Sequence, residues 1–287
     1  MEWLNTIMQG VLLGGLYAMF AVGLSLMFGI MRLVNIAHGD FIVLASYLAL
    51  VVTNSLGLSP LASLLLVVPA MFVLGYALQR GVLNRTLGQD ILPPLLVTFG
   101  LSIILQNVLL ELFSADSQKL SQGELEVASL ALGEMNIGVM PLIVFASAVA
   151  IIGGLQLLFY KTSLGRAFRA TSDDQQTAQL MGVNNKHIFG LAMALAMAVV
   201  AIAGVFLAIR TSFDPTVGPA RLLYGFEAVI IGGLGSLWGT LVGGVILGLA
   251  QALGAKFDPG WQILAGHLVF LLILVIRPRG LFPRSVD

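Results

Sequence analysis

Residues 2–32 read EWLNTIMQGVLLGGLYAMFAVGLSLMFGIMR, and between Glu2 and Arg32 there is no charged side chain. A hydrocarbon core about 30 Å thick is crossed by roughly 20 apolar residues in a helix, so this stretch alone is long enough to span a bilayer. Inside lipid the backbone must satisfy its own polar groups, which a helix does. A transmembrane barrel would instead show alternating segments of roughly 10 residues, and no such period is present. A cleaved leader needs a basic start and a short apolar region. Residues Met1 to Gly10 carry Glu2 and no Lys or Arg, so this first span is expected to be retained.

Outward from that stretch the same character continues. Of 287 residues, 58% are hydrophobic and only 10% charged, against roughly 25% charged in a soluble domain; a water-soluble surface cannot be built from them. Charges, prolines and polar clusters mark further spans near Gly39 to Leu56, Leu61 to Gln79, Ile91 to Leu110, Ile137 to Tyr160, Ile188 to Ile209 and Trp261 to Ile276, with the first near Met8 to Ile30. The Gly-rich region Tyr224 to Ala255 reads either as one long span or as a short broken helix followed by a span. The expected fold is therefore all-α, a polytopic transmembrane helix bundle of about eight or nine spans forming one domain over residues 1–287.

Lys and Arg collect in cytoplasmic loops of membrane proteins. Here they collect at Arg80 and Arg85, at Lys161, Arg166, Arg169 and Lys186, and in the tail at Arg277, Arg279 and Arg284, whereas the segment from Glu111 to Glu134 is mostly acidic and should face outward. With the tail inside, Tyr224 to Ala255 must cross twice, or cross once with a re-entrant piece elsewhere. The side of the N-terminus stays open. Gly15 to Gly29 (GLYAMFAVGLSLMFG) and Gly225 to Gly239 (GFEAVIIGGLGSLWG) share five positions, a pattern that either marks an internal repeat of the kind transporters use or follows from a Gly-rich composition.

Several function classes are excluded. The formal net charge is zero, which offers no basic footprint for nucleic acid. Without cysteine there are no disulfides or thiolate metal sites. The three histidines are far apart, and neither a metal-ligand spacing nor a nucleophile triad occurs. No G-x-x-x-x-G-K-[ST] run is present, so the chain has no cradle for ATP phosphates and any ATP-driven work needs an external motor.

Three groups of residues stand out. Lys161 to Lys186 (KTSLGRAFRATSDDQQTAQLMGVNNK) is the longest polar segment on the basic side; Ser163 can cap a helix and Gly182 can stop it. Its apolar Leu164, Phe168, Leu180 and Met181 either lie on the membrane surface or dock into a partner, unless the segment is a plain solvated loop. Asn35, His38 and Asp40 sit at the start of a span, where costly polar groups mark a pathway or an internal hydrogen-bond lock, and Gly39 permits close packing there. Glu227 is a carboxylate in an otherwise uncharged apolar segment; it either faces a water-filled path or bonds a broken helix end. Around it Gly232, Gly233 and Gly235 permit an unwound backbone or a tight crossing. Gln106, Asn107, Gln251 and His267 are isolated polar residues, best used in bonds between helices.

Four ordered motifs then carry a resemblance over nearly the whole chain. Gly165-Arg166-Ala167, Arg169-Ala170, Ala178 and Leu180-Met181-Gly182-Val183 look like the coupling loop of ABC importer permeases, with Gln176 and Thr177 where that loop has its acidic residue. Asn35, Ala37, His38 and Gly39 resemble the N-x-A-H-G motif of branched-chain amino-acid permeases of the LivH-like family. Phe226-Glu227-Ala228 with Gly232 to Ser236, and the tail Arg277-Pro278-Arg279-Gly280-Leu281-Phe282, are similar to the same family. The resemblance implies a permease subunit of a binding-protein-dependent ABC importer in a bacterial inner membrane, carrying branched-chain amino acids, or else urea or short amides. Its implied partners are a second homologous permease, two ATPase subunits that bind the ATP, a periplasmic or extracellular binding protein and the lipid bilayer. It implies that Gly165, Arg166, Ala167, Phe168, Arg169, Ala178, Leu180 and Gly182 form the ATPase-coupling loop, residues 161–186, and that no cofactor is held by the chain. Asn35, His38, Gly39, Asp40, Glu227, Gly232, Gly233 and Gly235 are the path or gate residues to be located. From another class, a stand-alone ion-coupled transporter would use Asp40, Glu227 or His267 as couplers.

Overall fold

A computed structural model describes residues 2–87, 92–132 and 135–282. The chain order is α1 (Glu2–Met31), α2 (His38–Leu56), α3 (Pro60–Gly81), a 3₁₀ turn (Leu83–Arg85), α4 (Leu92–Phe113), α5 (Glu124–Val127), β1 (Ser129–Leu132), β2 (Met135–Gly138), α6 (Val139–Lys161), α7 (Ser163–Asp173), α8 (Gln175–Leu180), α9 (Asn185–Arg210), α10 (Gly218–Gly232), α11 (Leu237–Phe257) and α12 (Trp261–Ile276). The strands form a small antiparallel hairpin with Ser129 opposite Gly138. Of the sequence expectations, the start of the fourth span at Ile91, the end of the acidic loop at Glu134, and Arg284 lie outside the described residues.

Among the described residues, seven helices are long and apolar enough to cross a membrane: α1, α2, α3, α4, α6, α9 and α11, with α12 shorter at 16 residues. The chain is an all-α, multi-pass bundle. Burial separates an inner layer from an outer one: 83% of the apolar window is buried in α1 and α9, but only 22%, 17% and 22% in α3, α4 and α6. All-round apolarity does not set this order, since α4 and α6 are as apolar as α1 and face outward; close packing does.

Small residues allow that inner helix to be gripped closely. Gly10 and Gly14 of α1 face Gly244 and Gly248 of α11, and a Cβ on Gly14 would come within 2.7 Å of the Gly244 carbonyl oxygen. Both pairs are spaced by four residues, the close-packing pattern of membrane helices. The helices run antiparallel, and Lys256 closes one end by pairing with Glu2 at 2.5 Å.

Loop contacts sort the two ends of the bundle. Gly29 of α1, the helix pair α7–α8, the α3–α4 connection and the tail lie together, joined by Ser172 to the Gly29 carbonyl and Asn84 to the Lys186 carbonyl. This end holds Arg32, Arg80, Arg85, Lys161, Arg166, Arg169, Lys186, Arg277 and Arg279. At the other end, Leu61 binds Gln122 and Gln118 pairs with Phe213, among Glu111, Asp116, Glu124, Glu126, Asp214 and Asp258. The parity left open by the sequence is settled: the N-terminus of α1 is at the acidic end and the tail at the basic end.

The region Tyr224 to Ala255 is broken. It is divided between α10 and α11 by a turn at residues 233–236, where Gly233 (φ 103°) and Gly235 (φ 81°) adopt backbone angles that side chains resist. Ser236 restarts the helix by accepting from Gly239 N–H at 3.1 Å. Leu281 and Phe282 of the tail donate backbone N–H to the carbonyls of Ile231 and Gly232 at 2.9 and 3.0 Å. Gly15 to Gly29 lies within the unbroken α1, whereas Gly225 to Gly239 straddles this break, so their sequence similarity does not extend to local conformation.

Candidate functional site

The polar residues before α2 fold into the bundle interior. α1 ends as Arg32 turns left-handed (φ 52°), and the chain runs back along it. His38 then reaches the Phe20 carbonyl, its Nε2–H donating at 2.8 Å, about three turns back from Met31. Because a carbonyl only accepts, the proton is on Nε2. Asn35 Oδ1 accepts from Ala37 N–H at 3.0 Å, and Ile36 N–H donates to Thr98 Oγ1 at 3.2 Å. Asn35, His38 and Asp40 are each at most 1% exposed. Their geometry is that of an internal lock.

Asp40 and Gly39 join this lock to α10. A Cβ on Gly39 would come within 2.8 Å of the Gly218 carbonyl carbon, and one on Gly218 within 2.9 Å of Asp40 Cα. α2 and α10 therefore begin against each other, N-terminus to N-terminus. Two positive dipole ends at close range need a counter-charge, and Asp40 in the first turn of α2 supplies it, held by Gln106 Nε2 at 3.0 Å.

Glu227 is 2% exposed and accepts from His267 Nδ1 of α12. Its bond is to this side chain rather than to a broken helix end, as one sequence alternative had it. Tyr224 stacks near His267 with centroids 6.5 Å apart and lies 5.1 Å from Tyr17, whose hydroxyl donates to Gln251 Oε1 at 2.5 Å. Gly232 and Gly239 meet across the turn, each leaving no room for a Cβ on the other, and Gly235 packs on Gly29. Of the residues sought for a path or gate, Asn35, His38, Gly39 and Asp40 thus gather at the α2–α10 meeting point and Gly232, Gly233 and Gly235 at the α10–α11 turn, while Glu227 lies apart, against α12.

Residues 161–186 form two helices where the sequence suggested one. Thr162, not Ser163, caps α7, accepting from Gly165 N–H at 3.0 Å; the extended backbone of Thr162 is the geometry a cap requires. Asp174 breaks the helix and caps α8 through Gln176 and Thr177 N–H at 2.9 and 3.1 Å. A bond from the Thr177 hydroxyl above all, and then these two, hold the Asp174 carboxyl below its ordinary pKa. Gly182 (φ 86°) ends α8 as expected.

The apolar residues of this pair divide. Phe168 is fully buried, stacked on Phe159 at 5.4 Å, and Ala178 is also buried, so neither is available to a partner; Leu164 packs against the core as well. A Cβ on Gly165 would strike Phe159 at 2.5 Å from Cα. Arg169 donates to the Phe159 carbonyl and lies over the Tyr160 ring at 5.1 Å, while Ala167 is half-buried and Arg166 exposed. Leu180 and Met181 remain, 87% and 81% exposed. Beside them opens a cavity of about 720 Å³ lined in part by Asn84, Gln175, Gln179, Asn185 and Lys186.

Gln106, Gln251 and His267 all make bonds between helices, but Asn107 bonds the Ile103 carbonyl of its own helix. Gly218, Thr98, Tyr17 and Ser172 were missed. Of these only Gly218, a glycine before a proline, carries a local signal.

The chain is 30% identical to the high-affinity branched-chain amino acid transport system permease protein BraD of Pseudomonas aeruginosa, over 99% of this chain and 96% of the relative. It is 27% identical to the permease protein LivH of the corresponding Escherichia coli K12 system, over 98% and 96%. It is also 24% identical to the permease protein LivM of that E. coli system, over 94% of this chain and 68% of the relative. With residues 6–276 matching the family described as "Branched-chain amino acid transport system / permease component", the chain belongs to that family of transport permeases.

Proposed function

We propose that this chain is the membrane-spanning permease subunit of an ABC importer that moves branched-chain amino acids inward across a bacterial inner membrane. The basic end faces the cytoplasm, in keeping with the distribution of Lys and Arg. Separate ATPase subunits dock on α7–α8, a second homologous permease completes the pathway, and a binding protein delivers the solute at the acidic end. That two differently named permeases of one E. coli system both match the chain supports pairing of unlike subunits.

The observation that carries the reading is the exposed pair Leu180–Met181 at the tip of a helix pair bonded to the inner helix α1 through Ser172 and Gly29. Exposed apolar groups at a polar end are partner contacts, and a rigid lever into α1 converts a partner's movement into one at the α10–α11 turn. Asn35, His38, Gly39 and Asp40 act in this scheme as the lock on which the levered helices pivot.

Reconstitution tests it. Liposomes holding the permease pair should take up leucine only when the ATPases, binding protein and ATP are added, and L180D with M181D should abolish uptake while the permeases remain folded. Gradient-driven uptake by the permease alone would replace this reading with a stand-alone transporter using Glu227 and His267. Uptake of urea in place of leucine would overturn the substrate.

A further inference from the structure

The acidic end contains two arginines that find no acid. Arg210 closes α9 and Arg221 lies in the first turn of α10; among the described residues neither is in a salt bridge. Arg210 Nη1 and Arg221 Nε are buried and meet no acceptor. Tyr17 is their common neighbour, close enough to both to interact electrostatically, and its hydroxyl holds Gln251 so that Gln251 Nε2 is a third buried donor without an acceptor. Tyr224, its ring tilted against that of Tyr17 with centroids 5.1 Å apart, is one turn along α10 from Arg221.

No acid bonds either arginine among the described residues. Asp40 takes its bond from Gln106, Asp214 accepts from the Thr216 N–H and hydroxyl, and Glu227 holds His267 through one carboxylate oxygen while the other, also buried, meets no donor. Arg221 moreover stands at a helix N-terminus, where the dipole already disfavours a cation. Each arginine is only partly buried, but a guanidinium N–H shut away from water without an acceptor is costly, and such groups inside a membrane protein are kept for function. Three donors with no acceptor around an aromatic pair define the chemistry of the missing partner: a small anion with an apolar body.

We propose that Arg210, Arg221 and Gln251, backed by Tyr17 and Tyr224, form a carboxylate subsite that receives the incoming amino acid at the acidic end of the bundle. The inference rests on the proposed import of amino acids and adds the residues by which the permease itself reads the solute. Guanidinium groups suit a carboxylate through paired N–H donors, and the tyrosine rings accept its aliphatic part.

The test uses the complete transporter in liposomes with ATP. Arg210→Gln and Arg221→Gln are each expected to lower leucine uptake at least about tenfold, the loss of one charge-assisted bond, while ATP hydrolysis stimulated by the loaded binding protein stays unchanged. Arg221→Lys should recover part of the uptake. As a readout that needs no variant, leucine should protect both arginines of the wild-type complex from phenylglyoxal, and leucinamide should not. Wild-type leucine uptake with undiminished uptake in both Gln variants would overturn the subsite and leave the importer standing. Failure of the wild type to import leucine with all partners present would instead remove the importer reading and the subsite with it. Loss of binding-protein-stimulated hydrolysis in the variants would assign the arginines to that protein's acidic side chains, and protection by the bilayer alone, without leucine, would assign them to lipid phosphate; either result overturns the proposal.

Discussion

The Ser172 hydroxyl of α7 donates to the Gly29 carbonyl of α1 at 2.6 Å, so the helix pair α7–α8 is bonded to one of the two helices most deeply inside the bundle. Gly29 in turn packs on Gly235 of the α10–α11 turn. Ser172→Ala is expected to cost about 1 kcal/mol of stability but to reduce leucine transported per ATP hydrolysed much more than it reduces hydrolysis. Parallel uptake and phosphate-release assays on one liposome preparation check it; a constant ratio would remove Ser172 from the coupling route.

The meeting of α2 and α10 tolerates no added atom. Gly39→Ala should destabilise the protein by at least about 2 kcal/mol, the scale of overpacking against backbone. Gly100→Ala, on α4 where an added Cβ would meet no atom within 4 Å, should be neutral or slightly stabilising, because alanine restricts the unfolded chain. Thermal denaturation in the same detergent compares the two, and equal midpoints would show that the contact is not tight.

Glu227 and His267 join α10 to α12 in the interior. His267→Ala should cost about 3 kcal/mol, since it leaves the buried Glu227 carboxylate without its partner, whereas Glu227→Ala should cost less, because His267 is 32% exposed and regains water. Replacing both by leucine should cost much less than the sum. A double-mutant cycle by denaturation gives the coupling directly, and additivity would mean that the pair contributes no specific bond.

Asp174 should make α8 sensitive to acid. Its folded-state pKa is depressed below the ordinary 3.8 by the Thr177 hydroxyl and the backbone N–H groups it caps. A depressed carboxyl stabilises the fold above its unfolded pKa and loses that contribution as the pH falls through the lower, folded value. Protection factors for the amides of residues 175–180, which remove the fall of the intrinsic exchange rate with acid, should therefore decrease as the pH drops below about 3.8 in the wild type. In Asp174→Ala they should already be low at neutral pH, with no further acid step. An acid step retained in the variant would assign the effect to another group.

The bundle was legible in the sequence because hydropathy is local: each span is apolar by itself, and the break near Gly233 was visible as a cluster of glycines. Around Asn35, His38 and Gly39 the sequence left two readings, a path or an internal lock, because a polar group at a span entrance can serve either. What could not be read was the partner of each group. The acceptor of His38 is a backbone carbonyl of Phe20, which no side-chain pattern distinguishes, and Glu227 finds His267 only because α10 and α12 become neighbours after the chain has turned twice. Phe168 misled in the same way. An aromatic residue in a polar segment looks exposed until the α6–α7 corner folds it onto Phe159.

The pairing of the tail with α10 has a consequence for biosynthesis. The carbonyls of Ile231 and Gly232 emerge from the ribosome well before Leu281 and Phe282, the residues whose N–H groups they accept. Through the synthesis of α11 and α12 the turn between α10 and α11 exists without that closure, and it is completed only when translation of the tail is finished. Closure of this turn thus waits for residues made after both α11 and α12.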